Sequence, residues 1–153
     1  MADVFTREKR SAVMSRIRST DTKPELMVRR ALHGMGYRYR LHHPGLPGRP
    51  DIVLVRYRTI FQVKGCFWHG HRCLKGRVPK QNSHYWIPKI QQNISRDRRS
   101  ERKLRAAGWH VITVWECTIR AHAPDILTIL NPVLKRIHRA REIQHQPHVR
   151  GPR

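Results

Sequence analysis

Residues 50–64 read Pro50-Asp51-Ile52-Val53-Leu54-Val55-Arg56-Tyr57-Arg58-Thr59-Ile60-Phe61-Gln62-Val63-Lys64, two short β-branched runs either side of a polar break. That pattern predicts a β-hairpin, with strands at 51–55 and 59–63 and Arg56-Tyr57-Arg58 as its turn. The outer ends of a tight hairpin lie side by side, so Asp51 is expected next to Val63 and Lys64 at one edge of a sheet. A carboxylate with a neighbouring backbone carbonyl offers hard oxygens to Mg²⁺. A lysine beside them can stabilise charge on a phosphate or orient an attacking water. The same residues also fit an Asp that caps a loop after Pro50 and a solvated lysine.

Working outward, Thr20-Asp21-Thr22 before Pro24-Glu25 reads as a helix start with a capping box, continued by Leu26, Val28, Ala31, Leu32 and Met35 to Gly34 or Gly36. Phe5–Ile17 is a short helix or an arm that orders on binding. Residues 37–41 alternate apolar and basic like a half-buried strand, and 44–50, with three prolines and two glycines, form a loop. Residues 64–79 are too rich in Gly, His and Cys for regular structure. A basic helix is expected from His84 to Ala107, with Pro88 moving its start toward Ile87 and Gly108 as its C-cap. Residues 109–115 form a strand in which Trp109 and Trp115 are core. Residues 124–137 make a last amphipathic helix. The order predicts an α/β fold, a sandwich around one mixed sheet, with a single domain over 1–138 and a basic, disordered tail over 139–153.

Thirty-two Lys and Arg against ten Asp and Glu give a formal charge of +22, with a pI near 11.6. Self-repulsion on that scale is best relieved by a polyanion. No apolar run approaches the roughly 18 residues that span a bilayer, and the first residues lack the apolar core of a secretion signal. The cations are spread along the chain rather than gathered on one amphipathic helix, which favours nucleic acid over a membrane surface. Three cysteines, an odd number, argue against a disulfide framework and for a cytosolic setting.

The hairpin runs straight into Gly65-Cys66-Phe67-Trp68-His69-Gly70-His71-Arg72-Cys73. Cys66, His71 and Cys73, joined by the distant Cys117, make a Cys₃His set suited to tetrahedral Zn²⁺. A closed set leaves no position for a reacting water, so such a zinc is structural; the alternative is three buried thiols and a surface histidine. His69 alternates with His71, so one imidazole can bind metal while the other faces substrate. Phe67 and Trp68, held rigidly outward between ligands and joined by Trp86, are suited to stack on or wedge between bases. Lys89 and Asn93 share the helical face of Trp86 and offer donors and an acceptor to base edges. The run Arg96, Arg98, Arg99, Arg102, Lys103 is a phosphate-facing surface that sets affinity and salt sensitivity.

Pro50-Asp51 with Gln62-x-Lys64 resembles the PD-(D/E)xK nuclease superfamily, with Gln62 where an acid is more usual. The longer string of Pro47-Gly48-Arg49-Pro50-Asp51, Gly65 to Cys73 and Trp115-Glu116-Cys117 resembles the very short patch repair (Vsr) DNA mismatch endonucleases. The likeness extends from Arg10-Ser11 and Met14 through Glu25 to Asn93-x-x-x-Asp97-Arg98-Arg99 and Gly108-Trp109. It implies a restriction-endonuclease-like α/β/α sandwich with a zinc loop. It further implies that Asp51 bridges catalytic Mg²⁺ ions with the Val63 carbonyl as a further ligand, and that His69, supported by Glu25, is the acid/base. Phe67, Trp68 and Trp86 would wedge beside a T·G mispair, with Lys89 and Asn93 reading it and Met14 contacting DNA from an N-terminal arm (residues 1–19). Lys64 departs from the family's histidine.

The expected activity is a Mg²⁺-dependent nick on the 5′ side of the T in a T·G mispair, the lesion left by deamination of 5-methylcytosine. The setting implied is bacterial cytoplasm near the nucleoid, as a monomer, with a functional link to a DNA cytosine methyltransferase and contact with mismatch-repair proteins. Two other readings fit the same residues: a restriction-type enzyme cutting matched duplex, and a non-catalytic, zinc-stabilised DNA-binding protein.

Overall fold

The computed structural model describes residues 5–17, 19–123 and 125–144. Its helices are α1 (Arg7–Arg16), α2 (Lys23–Gly34), α3 (Ser83–Ala106), α4 (Glu116–Ala121) and α5 (Leu127–Gln144). Its strands are β1 (Arg40–Leu41), β2 (Ile52–Leu54), β3 (Thr59–Lys64) and β4 (His110–Trp115). They form one mixed sheet in the order β1-β2-β3-β4, antiparallel up to β3 and parallel between β3 and β4. A parallel pair needs a crossover, and here the Cys/His loop followed by α3 supplies it.

The alternation of side chains along the strands sorts the core onto two faces. Ile52, Leu54, Phe61 and Val114 pack against Val28 and Leu32 of α2, Ile119 of α4, and Leu130 and Leu134 of α5. Val53, Ile60 and Val111 point the other way and meet Leu104 of α3. Helices cover both faces, which is why β2 is buried at every position and reads as continuously apolar. The expected α/β/α sandwich is present.

The hairpin has the register Ile52↔Phe61, Val53↔Ile60, Leu54↔Thr59, which carries Asp51 to the level of Gln62. Its connection is a 3₁₀ turn over Val55–Tyr57 closed by Arg58 at φ 46°. Arg58 joins the tip of the hairpin to the end of α3, donating from Nη2 to the Ala107 carbonyl (2.5 Å) and from Nε to that of Gly108 (3.3 Å). Its own carbonyl accepts the His110 N–H, so the turn also sets where β4 begins.

Several boundaries differ from those the sequence predicts. α3 starts at Ser83 after Asn82 in the left-handed region, so Pro88 is carried inside the helix rather than marking its start. The strand expected over 37–41 pairs only at Arg40–Leu41. α5 runs on through Gln144, past Ile137; Pro124, the start expected for it, and residues 145–153 of the expected tail lie outside the described residues. α4 has no counterpart among the expected elements, and it places Cys117 in a helical first turn. Both expected core tryptophans are half-buried: Trp109 packs against the Val53, Ile60, Leu104 and Val111 cluster, whereas Trp115 belongs to neither core cluster. Trp109 lies under the Arg58 guanidinium at 5.1 Å, and Trp115 stacks on His71 at 4.2 Å.

Candidate active site and metal cage

At the mouth of the hairpin the Val63 N–H donates to Asp51 Oδ2 at 2.8 Å. This fixes the carboxylate at the open end of the sheet, and the Asp51 carbonyl is held in turn by the His42 N–H at 3.1 Å. Burial pushes the Asp51 carboxyl up to about 6, the Val63 hydrogen bond opposing it and the charge of Glu25 adding to it. One cleft of about 990 Å³ opens over this point, and Met14, His42, Asp51, Gln62, Val63, Lys64, Trp68, His69, Lys89, Asn93 and Asp97 line it. Most of the residues singled out from sequence therefore meet in one place.

Asp97 of α3 organises the wall opposite Asp51. It takes His69 Nδ1 at 2.5 Å and Lys64 Nζ at 3.3 Å. Burial alone would raise its carboxyl, but the hydrogen bond and charge of His69, with Lys64, outweigh that and hold it below the usual carboxylate value. A carboxylate on Nδ1 places the proton there and leaves Nε2 as the basic nitrogen of His69. The sequence pattern assigns Asp97 no role. Its one signal there is a spacing of four from Asn93, which puts both on the cleft side of α3.

Glu25, expected to support His69, is instead buried (2% exposed) against Arg29, with His42 Nε2 3.2 Å from its Oε1. Thr22 caps α2 by accepting from the Glu25 N–H, but the Glu25 side chain turns along the helix to Arg29 rather than back to the cap. Asn93 is also committed within the protein. Its Nδ2 donates to the Trp68 carbonyl (2.9 Å) and its Oδ1 accepts from Arg96 (2.9 Å), so it aims the aromatic loop rather than offering a free amide to base edges. Lys89 is exposed on the cleft rim, and Met14 reaches the cleft from α1.

The aromatics form an edge-to-face cluster, with Phe67 5.0 Å from Trp68 and 5.1 Å from Trp86, and Tyr85 4.9 Å from Trp86. Trp86, expected to project, is 6% exposed beneath these rings and the Arg10 guanidinium of α1. Phe67 and Trp68 are half-buried, and of the three expected wedge residues only Trp68 lines the cleft.

Behind the cluster, the donor atoms of Cys66, His71, Cys73 and Cys117 lie within 4.8 Å of one another. Burial pushes the Cys66 thiol up to about 12, while a hydrogen bond to His71 brings Cys73 down to about 6. The Cys66 carbonyl accepts the His71 N–H at 2.9 Å, and a Cβ at Gly76 would stand 1.8 Å from the His71 carbonyl oxygen. The loop thus closes around the four donors so tightly that only glycine fits at residue 76. Three sulfurs and an imidazole suit Zn²⁺. At the other site a carboxylate and backbone oxygens suit Mg²⁺. There Gln62 Oε1, buried without a protein partner, fits a hydrated cation beside Asp51.

A mixed sheet flanked by helices, with a carboxylate at the hairpin mouth and a lysine and a carboxylate-held histidine facing it, defines a restriction-endonuclease-like nuclease. The family pattern for DNA mismatch endonuclease Vsr matches residues 2–75. The chain is 47% identical to the type II nicking enzyme V.NmeAIP of Neisseria meningitidis, over 80% of this chain and 88% of that protein. It is 49% identical to the type II nicking enzyme V.XorIIP of Xanthomonas oryzae (78% and 88% covered) and 42% identical to the DNA mismatch endonuclease Vsr of Escherichia coli (78% and 77% covered). The chain belongs to the Vsr family of DNA endonucleases. Among the described residues no helix is long and apolar enough to cross a membrane.

The raised Asp51 carboxyl has a consequence for stability. A carboxyl near 6 in the folded chain and near its ordinary 3.8 when unfolded favours folding fully below about 3.8, and that contribution is lost as pH rises through about 6. Asp51→Asn, neutral throughout, should therefore melt at a higher temperature than the wild type at pH 8 without added divalent cation, and the gap should close below pH 4. Thermal denaturation across that range checks it; identical melting at pH 8 would show that the carboxylate carries no such cost.

Proposed function

We propose that this nuclease hydrolyses one strand of duplex DNA on the 5′ side of the T in a T·G mispair, with Mg²⁺ at Asp51 and a structural Zn²⁺ in the Cys₃His cage. The observation that carries this reading is the convergence of Asp51, Lys64 and the His69–Asp97 pair in a cleft whose wall includes Trp68. The names of the relatives V.NmeAIP and V.XorIIP, nicking enzymes, support cutting of a single strand.

Each residue has its own part in the reaction. Asp51 and the Val63 carbonyl would hold the cation, which when bound would supply positive charge to the phosphate and favour loss of a proton from the attacking water. His69 Nε2 takes the proton of the attacking water, and Asp97 stabilises the resulting imidazolium. Water adds to phosphorus as the bond to the 3′-oxygen breaks, and the departing 3′-oxygen takes a proton from solvent, leaving a 5′-phosphate and a 3′-hydroxyl. Lys64 Nζ, held by Asp97 at the cleft edge, stabilises charge on the phosphate. Trp68 with Phe67 unstacks the mispair, at lower cost than a matched pair. In this reading Trp86 backs the two rings from below rather than entering the stack, and Met14 meets DNA from the arm. The zinc fixes the loop that carries both His69 and the aromatics. The biological role is repair of deaminated 5-methylcytosine by a monomer in bacterial cytoplasm, linked to a cytosine methyltransferase and to mismatch-repair proteins.

On T·G and matched duplexes with varied flanks, the wild type with Mg²⁺ should nick the T strand of the mismatch, and Asp51→Ala should bind DNA without cutting. Nicking by Asp51→Ala, or double-strand cleavage of matched duplex, would overturn the assignment. Trp68→Ala should reduce the preference for T·G over matched DNA at least tenfold while overall affinity falls much less. Equal losses in both would remove the ring from recognition.

A further inference from the structure

Two exposed Glu–Arg pairs share the same (i, i+4) build, Glu101–Arg105 near the end of α3 and Glu116–Arg120 on α4, and their arginines are equally open to solvent (53% and 54%). The first is absorbed by the fold. Arg105 takes Glu101 Oε1 with Nε and Nη2, and Nη2 also donates to the Val111 carbonyl at 2.8 Å, fastening α3 to the outer strand. The second pair has no such duty. Arg120 donates from Nε to Glu116 Oε1 at 2.8 Å, with Nη2 2.7 Å from the same oxygen, and among the described residues its guanidinium meets no backbone carbonyl. Glu116 and Arg120 instead line the cleft that opens over Asp51.

The place of the pair in that cleft is beside Trp68. Gly65 lets two groups close on one point: a Cβ there would stand 3.3 Å from Trp68 Cδ1 and 3.7 Å from Glu116 Oε2. The carboxylate that holds Arg120 therefore sits near the edge of the Trp68 ring. α4 is held at a fixed depth, because Trp115 before it pairs with Lys64 in the β3–β4 register. The carboxylate occupies the Nε side of the guanidinium, which leaves the Nη1 and Nη2 N–H groups at its far end, a planar fork that matches O6 and N7 of guanine.

We infer, on the strength of the mispair reading above, that Arg120 reads a guanine in the base pair flanking the mispair, through O6 and N7 in the major groove, and so sets sequence specificity. A ring inserted beside the mispair has the mispair against one face and the neighbouring pair against the other, and the fork beside the ring edge meets that neighbouring pair. Glu116 also decides between a base and a phosphate as the target. It cancels the charge of Arg120, which weakens a purely electrostatic hold on the DNA backbone, yet it fixes the direction of the fork, which is what base readout needs.

Binding and single-turnover nicking are measured on T·G duplexes in which the pair on either side of the mispair is G·C, C·G, A·T or T·A in turn. At one flanking position the wild type should favour guanine over adenine by at least about tenfold. Replacing that guanine by 7-deazaguanine, which lacks the N7 acceptor, should remove most of the preference. Arg120→Ala should level the flanking pairs and still prefer T·G to matched DNA. Arg120→Lys, which keeps the charge without the fork, should level them too while overall affinity holds. A wild type indifferent to its flanking pairs, an unchanged flank ranking in Arg120→Ala, or an equal loss on every flank, the mark of a phosphate contact, would overturn the inference and leave the mispair reading standing. A wild type that cuts T·G and matched duplexes alike would instead sink the mispair reading and this inference with it.

Discussion

The hydrogen bond from the Val63 N–H to the Asp51 carboxylate is the contact on which the site depends. Asp51 stands one residue beyond the last paired position of β2, where the hairpin register alone would leave its side chain free to turn into solvent. The bond draws it inward over Gln62 and Lys64, and the burial that follows raises its pKa. A carboxylate held in a place that suits it poorly without a counter-cation is primed to bind one. The core is arranged to keep this point still. Ile52 and Phe61 on one face and Val53 and Ile60 on the other lock the register that puts residues 51 and 63 together.

The crossover from β3 to β4 does two jobs that the topology would otherwise separate. It must travel from the end of β3 to the start of a parallel neighbour, and on the way it carries His69, Phe67 and Trp68 past the mouth of the hairpin. A loop of this kind has no ladder hydrogen bonds of its own to stiffen it. In the proposed zinc-bound form the four thiol and imidazole donors would supply that stiffness, tying residues 66–73 to the first turn of α4. Stacking of His71 on Trp115 and the contact of Asn93 with the Trp68 carbonyl add two further anchors. The aromatic rings and His69 therefore move with the sheet rather than independently of it.

Much of this is legible in the sequence because the decisive residues are close together along the chain. Asp51, Val63, Lys64 and the Cys66–Cys73 loop are linked by one hairpin, and strand periodicity alone brings them to one edge. What the sequence conceals depends on contacts between distant elements. Asp97 reads as one more charge on a basic helix until α3 is laid across the sheet. Glu25 looks like half of a capping box until Arg29 is seen to claim it. Trp86 reads as a surface ring at the start of a helix, and only the packing of Phe67, Tyr85 and Arg10 around it shows that it is covered. The start of α3 misleads for a different reason: a proline tends to mark a helix boundary, but this helix begins a full turn earlier, at Ser83, and carries Pro88 within it.

The central claim is that the Asp51 carboxylate holds a divalent cation against the phosphate that is cut. The most direct measurement replaces a non-bridging oxygen of the scissile phosphate by sulfur and compares single-turnover nicking in Mg²⁺ and in Mn²⁺. Because Mg²⁺ binds sulfur poorly and Mn²⁺ tolerates it, one of the two sulfur diastereomers should be cut far more slowly in Mg²⁺ and recover in Mn²⁺. Equal rates for oxygen and both sulfur substrates in Mg²⁺ would mean that no cation touches the reacting phosphate, and would contradict a metal-bound Asp51 as the centre of the reaction.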